Sequence, residues 1–154
     1  MNLSELLRPG TIRLNLSASS KEDLIRQAVD LFEPDQVPRD RSGLVAALLE
    51  RERMMSTGIG GGIAIPHAQL PGVPQLAINF MRLAASLAFD ALDGRPVRLV
   101  FTIVGPEEKG GFIQVLANLS RLLYTGDLQH RLLAVETPEE VIEVVRREEE
   151  GLPI

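Results

Sequence analysis

Residues 56–69 read STGIGGGIAIPHAQ: Gly58, Gly60, Gly61 and Gly62, the apolar run Ile63, Ala64 and Ile65, then Pro66 and His67. Glycine lacks a Cβ, so such a segment takes positive φ and lets backbone N–H groups come close to an anion. Pro66 fixes its own φ and biases Ile65 towards an extended conformation, which delivers His67 at a strand end in one defined place. The chain has no cysteine and only two histidines, so histidine is its most reactive nucleophile. A neutral imidazole, with an ordinary pKa of about 6.5, attacks a phosphoryl group at neutral pH and forms a reversible phosphohistidine. That chemistry needs donors for the phosphoryl oxygens. Read from spacing alone, the same residues are equally a glycine turn followed by a hydrogen-bonded histidine. Two nucleotide motifs are excluded: a P-loop requires a lysine that this stretch lacks, and the glycines lead into an apolar strand instead of opening a helix.

Composition narrows the classes further. A formal charge of -5 leaves no basic face for nucleic acid. Without cysteine, and with its two histidines far apart, the chain offers no thiolate or histidine-rich metal site, and no cofactor is expected. No run approaches the roughly 18 apolar residues of a membrane span. The start, MNLSELLRPG, carries acid early and is not a secretory signal. Cytoplasmic residence without membrane insertion is the expectation. With 154 residues, 45% of them hydrophobic and 24% charged, the chain is expected to form one globular domain over 1–154.

The elements that must position these residues follow from periodicity. Residues 11–16 alternate, with Ile12, Leu14 and Leu16 on one side, as in a half-buried strand. Ser20, with Asp23 three residues on, reads as a capping-box-like start to a helix carrying Leu24, Ala28 and Leu31 before Pro34. Asp40 caps a second helix with the stripe Leu44, Ala47 and Leu48, a polar exit at residues 50–53 and an end near Met55. Residues 76–83 and 97–104 are strands, the second central, and Asp93-Gly94 between them signals a turn. Residues 111–124 read as a helix with Ile113, Leu116, Leu119 and Leu123 on its buried face and Gly126 at its end. A short helix is expected at 128–135, and Thr137 with Pro138 opens a last helix to about Glu149, its acidic tail solvated. Interleaved strands and helices predict an α/β fold with helices on both faces of the sheet.

STGIGGGIAIPH, preceded by Arg51-Glu52-Arg53, resembles the active-site segment of the enzyme IIA domains of the phosphoenolpyruvate-dependent sugar phosphotransferase system, in the fructose, mannitol and nitrogen-regulatory class (EIIA type 2). That pattern is an arginine–glutamate pair, then TGIG, any residue and GIAIPH, and every position is matched. The similarity continues through AFDALDGRP (88–96), VRLVFTIVGP (97–106), the helix 112–123 and the TPEE segment. It is greatest towards a free-standing nitrogen-regulatory IIA protein.

The resemblance implies a mixed β-sheet flanked by helices. It also implies that His67 takes a phosphoryl group on Nε2 from an HPr-type phosphocarrier, then passes it to an enzyme IIB cysteine or keeps it as a regulatory mark. Arg51 matches the arginine near the phosphoryl site, although by position alone it is also a solvated helix end. Ser56 and Thr57 either donate hydroxyls to the phosphoryl group or cap local backbone. Many members carry a second histidine where this chain has Phe112, a ring that packs beside His67 but donates no hydrogen bond. Asp90 and Asp93 either orient loops near the site or serve turn chemistry, and His130 reads as a surface or capping residue. The chain lacks both the cysteine of a IIB domain and the spans of a IIC domain, so a IIB partner or regulated target is expected on a separate chain. The alternative is a protein-binding module of the same fold whose histidine is not phosphorylated.

Overall fold

A six-stranded mixed sheet organises the computed structural model, which describes residues 2–107, 110–124 and 127–151. Its strands are β1 (Ile12–Leu16), β2 (Gly58–Gly60), β3 (Ile63–Ala64), β4 (His67–Gln69), β5 (Ala77–Leu87) and β6 (Val97–Gly105). Their order is β1-β5-β6-β3-β2, with β4 also on β6. β1 runs parallel to β5, β5 antiparallel to β6, β3 and β4 parallel to β6, and β2 antiparallel to β3. β6 is central, as expected, and almost wholly buried because both of its faces are covered.

Strand alternation divides the core between two helical layers. Ile78 and Phe80 of β5 and Phe101 and Ile103 of β6 share one cluster with Leu119 of α4 (Phe112–Tyr124), Leu132 of α5 (Asp127–Ala134) and Val145 of α6 (Pro138–Glu150), joined by Leu3 of α1 (Leu3–Leu6). Ala77, Met81, Val100 and Val104 pack on the other face against α2 (Lys21–Leu31) and α3 (Arg41–Met54). This is the α/β architecture with helices on both faces that the sequence predicts.

The helices start where side chains satisfy their unpaired amides. Ser20 Oγ accepts from the Asp23 N–H at 3.0 Å, Asp40 Oδ1 from the Ser42 N–H at 3.1 Å, and Thr137 Oγ1 from the Glu140 N–H at 3.2 Å. The reciprocal bond expected from Asp23 goes instead to the Ser19 N–H at 2.9 Å. Gly151, in the left-handed region, closes α6.

Four expectations are corrected. The run 63–65 is not one strand: Pro66 has no N–H for the ladder, so pairing to β6 breaks into β3 and β4, with the Pro66 carbonyl accepting from the Ile103 N–H at 3.0 Å. α4 is rotated from the expected stripe. Phe112 and Val115 are buried with Leu119 and Leu123, while Ile113 is 76% exposed. The pairs 112/115 and 113/116 both fit the period with 119 and 123, and contact with the sheet selects the first. The acidic tail is not simply solvated, since the Glu149 carboxylate accepts from the Leu3 and Ser4 N–H groups at the start of α1. Within the polar exit of α3, Glu52 is buried. Gly126, the expected end of α4, lies outside the described residues.

Candidate functional site

His67 opens β4 opposite Ile103 of β6. Its Nδ1 lies 2.7 Å from the Ile65 carbonyl oxygen. A carbonyl can only accept, so Nδ1 carries the proton and Nε2 keeps its lone pair in the neutral ring. The Phe112 ring sits 6.0 Å from the imidazole between centroids, tilted by 48°. Burial holds the His67 pKa below the usual histidine range. The Ile65 hydrogen bond opposes that shift, the positive charge of Arg51 adds to it, and the negative charge of Glu52 opposes it. The ring is therefore uncharged at neutral pH.

Arg51, in the last turn of α3, donates from Nη1 to the Met55 carbonyl oxygen at 2.8 Å. That bond satisfies a carbonyl at the helix end and restrains the guanidinium, whose field reaches His67. Ser56 caps local backbone, whereas the Thr57 hydroxyl bonds a side-chain carboxylate, neither of its two alternatives. Ser56 Oγ donates to the Phe89 carbonyl at 2.8 Å and accepts from the Gly58 N–H at 3.1 Å. Thr57 Oγ1 donates to Glu52 Oε2 at 2.5 Å.

The glycines build a hairpin and not an anion-cradling loop. Gly58 and Gly60 form β2, and Gly60, Gly61 and Gly62 take φ of 96°, 67° and 82° to make the turn into β3. The Gly61 N–H donates to Asp93 Oδ2 at 2.9 Å, and the Gly62 carbonyl accepts from the Arg98 and Leu99 N–H groups. Ile63 pairs with Leu99 whereas His67 pairs with Ile103. The turn thus lies about 13 Å along the sheet from the histidine, at about 3.3 Å per residue. Asp93 orients this hairpin and also accepts from the Arg95 N–H at 3.0 Å. Asp90 is exposed, 3.6 Å from Lys21 Nζ, and His130 is exposed on α5.

Glu52 is the site residue that sequence reasoning passed over. Its side chain is 3% exposed and accepts from the Thr57 N–H at 3.0 Å and from Thr57 Oγ1, and it lies 3.0 Å from Lys21 Nζ. A charged letter in a helix's last turn reads as solvated. The available signal was its fixed place in the arginine–glutamate pair. Met54 and Met55, at the end of α3, and Ile113, next to Phe112, are exposed. Among the described residues, no group of His, Asp and Glu side chains is arranged to hold a metal ion.

The family model of the phosphoenolpyruvate-dependent sugar phosphotransferase system, EIIA 2, matches residues 5–148. The chain is 36% identical over 148 residues to the PTS system fructose-specific EIIABC component of Bacillus subtilis; the match covers 96% of this chain and spans only 23% of that longer protein. It is 32% identical to a nitrogen regulatory protein of Pseudomonas aeruginosa, over 94% of this chain and 95% of that one. Among solved structures it is similar to nitrogen regulatory protein IIA-Ntr from Neisseria meningitidis, with a TM-score of 0.87 and 33% identity over 93% of this chain and 98% of that one. It is also similar to a chain in the complex of enzyme IIAMTL and phosphorylated enzyme IIBMTL from Escherichia coli, with a TM-score of 0.72 and 25% identity over 92% of this chain and 99% of that one.

Proposed function

The chain belongs to the EIIA 2 family of the phosphoenolpyruvate-dependent sugar phosphotransferase system, and from that premise we propose that His67 is its phosphoryl acceptor. The observation that carries this reading is the 2.7 Å contact between His67 Nδ1 and the Ile65 carbonyl, which leaves Nε2 unprotonated. Nε2 attacks the phosphorus of a phosphorylated HPr-type carrier. The new N–P bond forms as the carrier's bond to phosphorus breaks, and the electron pair of that bond returns to the carrier. The imidazolium charge that develops is held by the Nδ1–H bond to Ile65. Arg51, restrained at Met55, keeps further donors for the phosphoryl oxygens, which gather negative charge.

The phosphoryl group then leaves Nε2 for a IIB partner on a separate chain or stays as a mark that sets which target protein binds. A IIB partner is supported by the complex that IIAMTL forms with phosphorylated IIBMTL. Met54, Met55 and Ile113 supply the apolar contacts for either partner. The protein works in the cytoplasm as one domain over 1–154. No helix of the described residues is long and apolar enough to cross a membrane.

Phe112 favours a second reading, a binding module that is not phosphorylated. Where a second imidazole would donate to the phosphoryl oxygens, this ring offers only packing. Intact mass after incubation with phosphoenolpyruvate, enzyme I and HPr separates the two. The carrier reading expects an acid-labile gain of one phosphoryl group that His67→Ala abolishes. A wild-type mass that does not change leaves the binding module.

A further inference from the structure

The Glu52 carboxylate is an expensive group to keep inside a fold, and an apolar side chain of its size would fill the space at lower cost. What it does there is join the last turn of α3 to the first residue of the TGIG segment. It receives both the N–H and the hydroxyl of Thr57, and Lys21, reaching from the first turn of α2, pairs with it at 3.0 Å. Lys21 is itself fixed, with its ammonium 4.6 Å from the centroid of the Phe89 ring.

The contacts continue from Thr57 to the histidine. The Thr57 carbonyl accepts from the Ile65 N–H at 2.9 Å, and the Ile65 carbonyl is the partner of His67 Nδ1 at 2.7 Å. Each link is a hydrogen bond of between 2.5 and 3.1 Å. The same carboxylate sits next in sequence to Arg51. A displacement at Thr57 therefore reaches both the acceptor that sets the imidazole tautomer and the helix end that carries the cation.

We propose that Glu52 is a positioning residue for phosphoryl transfer, acting through Thr57 and Ile65 to hold the His67 ring with Nε2 free and through α3 to hold Arg51 beside it. Lys21 supplies the charge that lets the carboxylate stay buried. The inference rests on His67 being the phosphoryl acceptor, but its first readout needs no phosphoryl transfer.

The test is the tautomer and pH titration of His67 followed by ring-nitrogen NMR in the full-length protein, together with the rate of phosphoryl gain from phospho-HPr. Charged groups acting on His67 are Arg51 and Glu52, both from α3. Glu52→Gln removes the negative charge, so the titration midpoint should fall. Loss of the anchored geometry should mix the tautomers and slow transfer by about ten- to a hundred-fold with little change in KM for phospho-HPr. Glu52→Asp keeps the charge but shortens the reach to Thr57, and should slow transfer and mix the tautomers with a smaller shift of midpoint. Lys21→Arg keeps the pair and should match wild type in all three readouts.

A folded Glu52→Gln protein with the wild-type tautomer and midpoint overturns the proposal. Should that variant fail to fold, a folded Glu52→Asp protein with wild-type tautomer and rate overturns it equally. If wild type takes up no phosphoryl group, the carrier reading fails by itself, and the tautomer measurement still decides the role of Glu52.

Discussion

At the scale of single residues, burial makes His67 a pH-sensitive element of stability. Its pKa in the folded chain lies below the unfolded value of about 6.5, chiefly through desolvation and then through Arg51. The folded state therefore binds fewer protons than the unfolded one. The associated stability is fully present above pH 6.5 or so and is lost as pH falls through the folded pKa. Melting temperatures of wild type and His67→Gln, measured from pH 8 downwards, should diverge below that point, with wild type falling faster. Parallel curves would contradict the assignment. Carboxylates act in a separate window. Glu143, held at about 2 by Arg146 and Arg147, contributes stability that is fully present above its unfolded value of 4.5 and is lost as pH falls towards about 2. Much of this site is legible in the sequence, because glycine, proline and histidine are rare enough for their spacing to carry information. The buried Glu52 is legible only from its fixed place in the arginine–glutamate pair, since its position in a run of charged letters does not by itself mark the carboxylate that turns inward to Thr57.

Among the elements, the β2–β3 hairpin depends on glycine for two different reasons. Gly60, Gly61 and Gly62 are needed for positive φ, but Gly58 is needed for space: a Cβ there would lie 2.7 Å from the Ala91 Cβ. Gly58→Ala should cost about 1–3 kcal/mol through overpacking against the 91–93 turn. Chemical denaturation measures the loss. Adding Ala91→Gly should recover part of it, because that methyl group is the closest contact, while the Ala91 Cα at 3.1 Å and Ser56 Oγ at 3.2 Å stay tight. No recovery would mean that Gly58 serves backbone conformation instead. Elements with eight or more residues and a clear period are legible: α2, α3 and α6 begin at the residues their caps select. Those that escape the sequence do so for physical reasons. α1 has four residues and owes its first amides to Glu149, which is distant in sequence. The orientation of α4 is settled by whether Phe112 or Ile113 meets the sheet, and the helical period allows both.

For the molecule as a whole, strand order is the part no local pattern reveals, because β1 pairs with β5 across the 60 residues, 17–76, that separate them. Its consequence is mechanical. β5 and β6 hold up both helical layers, with Phe80 and Phe101 facing α4, α5 and α6, Met81 and Val100 facing α2, and Ala77 and Val104 facing α2 and α3. Neither layer keeps its partner if the central pair separates, so the two should unfold together. Phe80 is fully buried and its ring lies 4.7 Å from that of Phe101. Phe80→Ala should cost about 3–5 kcal/mol by opening a cavity on one face only. If the layers form one cooperative unit, the most protected amides of α2, on the opposite face, should exchange faster by the same factor as those of α6. That factor is about a hundred-fold or more, since each tenfold corresponds to about 1.4 kcal/mol. Unchanged protection in α2 would show that the α2–α3 layer holds its structure independently and that the chain does not unfold as a single unit. The shared outcome would mean that the candidate site, built from α3 on one face and Phe112 of α4 on the other, is only as stable as the strand pair between them.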